Sequence, residues 1–125
     1  MITTKRKPTI LRQEVDENHA VLSLMVDADI VDFKGHFTSY PLLPGVTQIH
    51  WAVEFGIALL DIPAQFGGME VIKFQAPILP GVEIELELEW NVEKEKLHFC
   101  YRSVDSDGEQ TAVHSLGRIK LDMAQ

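Results

Sequence analysis

The sequence predicts an α+β fold in which an antiparallel β-sheet wraps around one long central helix. Three observations carry that expectation. One stretch, 44–60, repeats apolar residues at helical spacing, and from residue 69 onward the pattern changes to period two. No linker, low-complexity tract or composition break divides the chain, so residues 1–125 read as a single domain. A buried helix and long half-buried strands cover each other most simply when the sheet curls round the helix.

In chain order, residues 10–15 and 20–27 read as two short strands joined by the turn Asp16-Glu17-Asn18-His19. Residues 30–44 lack sustained periodicity and carry Gly35, Ser39, Pro41 and Pro44, which marks an ordered but irregular loop. Pro44-Gly45 then opens the helix. Val46, Ile49, Val53, Gly56 and Leu60 form its stripe, and Trp51, Ala52, Phe55, Ile57, Ala58 and Leu59 add apolar residues on other faces. A helix that is apolar nearly all round is expected to lie buried within its fold. Asp61-Ile62-Pro63 ends it. Residues 69–75 read as a strand, and residues 82–90 alternate Glu with apolar side chains, one face packed and one in water. Residues 96–104 and 110–122 follow, separated by the turn signal Asp105-Ser106-Asp107-Gly108. Leu43-Pro44-Gly45-Val46 and Leu79-Pro80-Gly81-Val82 look alike, yet the first opens a helix and the second a strand. They are the same punctuation used twice, not a duplicated unit.

Composition narrows the function classes. At 46 % hydrophobic and 24 % charged residues the chain reads as an ordinary globular protein. No apolar run approaches the roughly 20 residues that span a bilayer. The basic N-terminus Lys5-Arg6-Lys7 is not followed by an apolar segment, so a secretory signal is not expected and the cytoplasm is the expected location. A net charge of −8 argues against nucleic acid or an anionic membrane as partner. An acidic carrier protein would need a local basic patch, for which Lys5, Arg6, Lys7 and Lys34 are candidates; each is equally well read as a solvated surface charge. The single cysteine, Cys100, excludes an internal disulfide and a multi-cysteine metal site, and reads as a strand thiol. His19, His98 and His114 show no metal-ligand spacing and are assigned no role.

The chemistry concentrates in Phe33-Lys34-Gly35-His36-Phe37-Thr38-Ser39-Tyr40-Pro41-Leu42-Leu43-Pro44-Gly45-Val46. A histidine on a Gly-flanked loop is followed closely by a helix start, which offers unpaired backbone N–H groups and the positive end of a macrodipole. Gly45 leaves that end open to a ligand. Together these supply a base near neutral pH and donors for a carbonyl oxygen developing negative charge, which suits proton abstraction beside a thioester carbonyl. A lone loop histidine is also commonly a structural residue, so the residues by themselves leave both readings open.

Gly35-His36-Phe37, Pro41 and Leu43-Pro44-Gly45-Val46 resemble the active-site segment of the 3-hydroxyacyl-(acyl-carrier-protein) dehydratases, hotdog-fold enzymes of bacterial fatty-acid synthesis. Ile72-Lys73-Phe74-Gln75-Ala76-Pro77-Ile78-Leu79-Pro80-Gly81, with the alternating strand after it, resembles a second segment of that family. The wording Gln48-Ile49-His50-Trp51 is similar to the short dehydratase-like branch of aryl-polyene-type lipid clusters. The resemblance implies a hotdog fold working as a homodimer or higher homo-oligomer, each site using the loop of one subunit and the helix of the other. It implies loss of water from a (3R)-3-hydroxyacyl chain on acyl carrier protein to give a trans-2-enoyl thioester, without metal or cofactor. His36 would be the base and the Gly45 amide would hold the thioester oxygen, with Phe37, Pro44 and Val46 against the substrate and the acyl chain beside the helix.

One departure matters. Fourteen residues after the histidine the family carries Glu or Asp; here the residue is His50. A protonated imidazole can also help a hydroxyl leave. Glu54, four residues on and on the same helix face, is the other candidate, or else a charge paired with a basic group. A second departure is Thr38, where the family usually has proline; it removes no catalytic group. Three readings follow. The first is an active dehydratase using His36 and His50. The second is a non-catalytic or half-site subunit whose hotdog partner supplies the missing carboxylate. The third is a hotdog acyl thioesterase.

Overall fold

The computed structural model describes residues 6–30 and 42–123, with the side chains of this span through Asp122. The chain forms β1 (Thr9–Val15), β2 (His19–Val26), α1 (Gly45–Leu59), β3 (Ala64–Phe74), β4 (Val82–Asn91), β5 (Lys96–Val104) and β6 (Gln110–Met123). The six strands make one antiparallel sheet in the order β1-β2-β4-β5-β6-β3. This is the hotdog arrangement, with α1 held against β3, β4 and β5. The predicted fold class and element order are observed.

Alternation builds the face that receives the helix. Ala20, Leu22, Leu24 and Val26 of β2, Ile84, Leu86, Leu88 and Trp90 of β4, and Leu97, Phe99 and Tyr101 of β5 are buried on one side. The intervening residues of β4 are glutamates on the other side. Arg102 of β5 lies among them, its guanidinium 2.6 Å from Glu85 and 2.8 Å from Glu87. Cys100 shares this outer face, half-buried, and burial raises its thiol pKa.

Two expectations about the elements need correction. The helix is not buried all round: Ile49, Trp51, Ala52 and Gly56 face the core together with Thr47 and Gln48. The row Val46, His50, Glu54 and Ala58, spaced four apart, faces outward, and Val46 is 74 % exposed. Apolar residues on every side therefore do not mean that this single chain covers every side. The strand expected over 69–75 begins at Ala64. β6 is 14 residues long, and its Ser115–Met123 stretch pairs with β3 from Ala64 to Phe74. The mismatch is absorbed by register shifts between Phe66 and Gly68 and between Met69 and Val71.

The helix stops as the sequence suggests. Asp61 takes a left-handed conformation (φ 51°), and the Ile62 N–H reaches back to the Ile57 carbonyl at 3.2 Å, closing a Schellman-type end. β3 and β1 are the sheet edges. β3 leaves Phe66, Met69, Val71 and Phe74 exposed, an unusual concentration of apolar side chains for a free edge.

Candidate active site

The start of α1 is fixed from three directions. Pro44 caps it with an extended backbone (φ −58°, ψ 145°) and no side-chain bond, its carbonyl accepting from the amides of Thr47 and Gln48. The Leu43 amide donates to the Ile78 carbonyl at 2.9 Å, tying the incoming loop to the segment before β4. Gln48, almost completely buried, joins the parts: its Nε2 donates to the Leu43 carbonyl (3.1 Å) and its Oε1 accepts from Ser115 Oγ of β6 (2.6 Å). Its own carbonyl accepts from the buried Tyr101 hydroxyl at 2.7 Å. Burial holds the Tyr101 pKa well above its ordinary value, so the hydroxyl stays a donor. The Gly45 and Val46 amides, which no preceding helical turn can satisfy, thus sit on a rigid support.

Gly45 is packed as well as open. A Cβ there would lie 2.6 Å from Cζ of the Phe74 ring, at the end of β3. That ring, with Leu42, Leu43, Gln48, Gln75 and Pro77, lines a cavity of about 250 Å³ beside the helix start. Pockets that enclose a whole small ligand usually measure about 300–1,000 Å³. The cavity wall at 75–77 is held by His114, a residue to which the sequence assigned no role. Its backbone carbonyl accepts from the Gln75 and Ala76 amides, and its Nδ1 faces the carbonyls of Ala76 (3.3 Å) and Pro77 (3.1 Å). Carbonyls only accept, so Nδ1 carries a proton, and Nε2 lies 2.6 Å from Ser103 Oγ.

One turn along the outward row, His50 Nε2 lies 2.9 Å from Glu54 Oε1, and Lys7 Nζ lies 3.0 Å from Glu54 Oε2. The His50 side chain is 67 % exposed. Partial burial pushes the Glu54 carboxyl upward, but the Lys7 ammonium and the His50 ring outweigh it and hold the group below its usual range. Of the expected site residues, the structure places Pro44, Gly45 and Val46 at the helix start and pairs His50 with Glu54. His36 and Phe37 lie outside the described residues. Gln48 and Phe74 entered the sequence reading only within quoted segments, His114 without a role and Ser115 not at all, and Lys7 entered it as a candidate for a carrier-binding patch or a solvated surface charge. Among the described residues no group of three or more His, Cys, Asp or Glu side chains could hold a metal ion. No described helix is long and apolar enough to cross a membrane.

A family model described as ApeI-like, ApeI dehydratase, matches residues 12–115. The chain is 40 % identical over 65 residues to the 3-hydroxyacyl-(acyl-carrier-protein) dehydratase FabZ of Koribacter versatilis, covering 46 % of this chain and 42 % of that one. Across similar FabZ dehydratases the matched stretch takes in 42 % to 70 % of the relative's length. Among solved structures, a protein from Erwinia carotovora subsp. atroseptica superposes with a TM-score of 0.84 at 38 % identity, over 94 % of this chain and 97 % of that one. The dehydratase heterocomplex ApeI:P from Xenorhabdus doucetiae has a chain that superposes with a TM-score of 0.82 at 34 % identity, over 93 % and 98 %.

Proposed function

Because the chain belongs to the ApeI-like branch of the hotdog-fold dehydratases, we propose that it is one subunit of a heteromeric dehydratase acting on 3-hydroxyacyl thioesters. The observation that carries this reading is His50. Where the family has a carboxylate, this chain presents an exposed imidazole already paired with Glu54. A second hotdog chain bearing the carboxylate on its own helix completes the site that this chain's His36 loop enters. Three further features support the reading: the small cavity beside the helix start, the apolar free edge of β3, and the assembly of the similar Xenorhabdus chain as a heterocomplex.

In the completed site His36 takes the proton from the carbon beside the thioester carbonyl. The Gly45 amide receives the developing negative charge on the carbonyl oxygen, with the helix dipole behind it. The partner's carboxylate protonates the departing hydroxyl. An acyl carrier protein thioester is the substrate form we expect, in fatty-acid or aryl-polyene-type lipid synthesis, and the catalytic set needs no metal or cofactor.

The test is to follow water loss, water addition and free thiol when the chain, alone and mixed with a second hotdog subunit, meets 3-hydroxyacyl and enoyl carrier-protein thioesters. Turnover should require the mixture and fall by about 10²–10⁴ in His36→Ala, the usual contribution of a general base. A second reading is favoured by the 2.9 Å His50–Glu54 pair: a homodimer in which His50 replaces the carboxylate. Full turnover by the chain alone, lost in His50→Ala, selects that reading over the heteromer. Release of free thiol would replace both with a thioesterase.

A further inference from the structure

Resting on the reading that His50 occupies the position facing substrate, we infer that Lys7 is a positioning residue, which through Glu54 makes His50 present Nδ1 to the departing hydroxyl. The two oxygens of Glu54 are divided between Lys7 Nζ at 3.0 Å and His50 Nε2 at 2.9 Å. An ionised carboxylate only accepts hydrogen bonds, so the ring nitrogen facing it carries a proton. This leaves Nδ1 as the nitrogen not committed to Glu54. When the ring is an imidazolium, Nδ1–H is the acid available to a ligand; when it is neutral, Nδ1 is an acceptor.

Lys7 is placed for this role by what flanks it. The Trp51 indole, buried in the core, donates from Nε1 to the Arg6 carbonyl at 3.0 Å, and Pro8 on the other side is buried. The backbone at Lys7 is therefore pinned along the helix that carries Glu54 and His50. An exposed ion pair ordinarily contributes little, partly because it must freeze two long side chains. Here the pinned backbone holds Lys7 within reach of Glu54, which lowers part of that cost. In the reaction the C2–H bond breaks, its proton goes to the loop base, and its electrons form the C2–C3 double bond. The C3–O bond breaks with its electron pair leaving on oxygen, and the Nδ1 proton completes the water. In a homodimer every site uses this array; in a heteromer it serves the site formed with the partner's loop.

Ring nitrogens of the full-length ¹⁵N-labelled chain report the arrangement directly, with His50→Gln assigning the signals. The expected neutral form is protonated on Nε2 in the wild type, mixed between the two nitrogens in Lys7→Met, and Nε2-protonated again in Lys7→Arg. In a homodimer, where His50 is the acid of every site, Lys7→Met should lower kcat about three- to fivefold with KM unchanged, and Lys7→Arg should restore it. A wild-type ring protonated on Nδ1, a tautomer indifferent to Lys7→Met, or, in a homodimer that turns over, an unchanged kcat in that variant each overturns the assignment. Absence of turnover on any 3-hydroxyacyl thioester overturns the functional reading instead, while the ring spectra still decide the role of Lys7.

Discussion

Gln48 illustrates how one polar side chain inside a core can carry the geometry of a site. It connects the loop carbonyl of Leu43 to the Ser115 hydroxyl of β6, and both partners lose their bond if it is replaced by an apolar group. Gln48→Leu should cost about 2–4 kcal/mol, the sum of two buried groups left unsatisfied, measured as a shift in the urea midpoint. Gly45→Ala should be far milder for stability, because the atom it meets is the tip of the exposed Phe74 ring, which can swing away. At this scale the sequence revealed the candidates that belong to a motif: Pro44, Gly45, His50 and Glu54. It did not reveal Gln48, His114 or Ser115, whose partners lie 67 residues away for Gln48 with Ser115 and 37 for His114 with Pro77. Hydrogen bonds across such separations leave no periodic trace. The base of the proposed mechanism, His36, was legible as a motif alone.

Strands β3 and β6 show where element-level reading stops. The flawless alternation of β4 and the Asp105–Gly108 turn, with Gly108 at φ 82° and Asp105 Oδ1 accepting from the Asp107 and Glu109 amides, were plain in the sequence. The early start of β3 was not, because strand length is set by the partner it pairs with. The outward row of α1 was hidden for a related reason: apolar content does not state which neighbour provides the cover. Gly117 of β6 marks how tightly these two strands are joined. A Cβ there would stand 2.6 Å from the Val71 carbonyl oxygen and 2.9 Å from the Phe99 ring. Backbone cannot yield as a side-chain tip does, so Gly117→Ala should destabilise by about 1–3 kcal/mol and displace β3. Denaturant melts would measure the loss, and amide exchange should show it concentrated in β3.

At the scale of the whole molecule, the two sheet edges and the charged outer face decide behaviour. Met69→Lys with Val71→Lys puts charge on the β3 edge and should leave the chain monomeric in light scattering with its helix content unchanged; an oligomer of unaltered size would remove β3 from the interface. Glu87 is held below its ordinary carboxylate pKa by the hydrogen bond from His19 and then by Arg102. A depressed carboxylate stabilises the fold above its unfolded pKa, about 4.3, and that contribution disappears as pH falls through the lower folded value. Glu87→Gln should therefore flatten the loss of stability between about pH 5 and pH 3. The effect should stay below about 1 kcal/mol because the pair is partly exposed. The bond from the Trp51 indole to the Arg6 carbonyl gives the molecule an optical gauge of its own terminus. In a Trp90→Phe background, Trp51 is the lone indole, and its emission wavelength reads whether the N-terminal strap is seated. Carrier binding, partner exchange or loss of Lys7 could then be followed as a colour change during turnover, without any label attached.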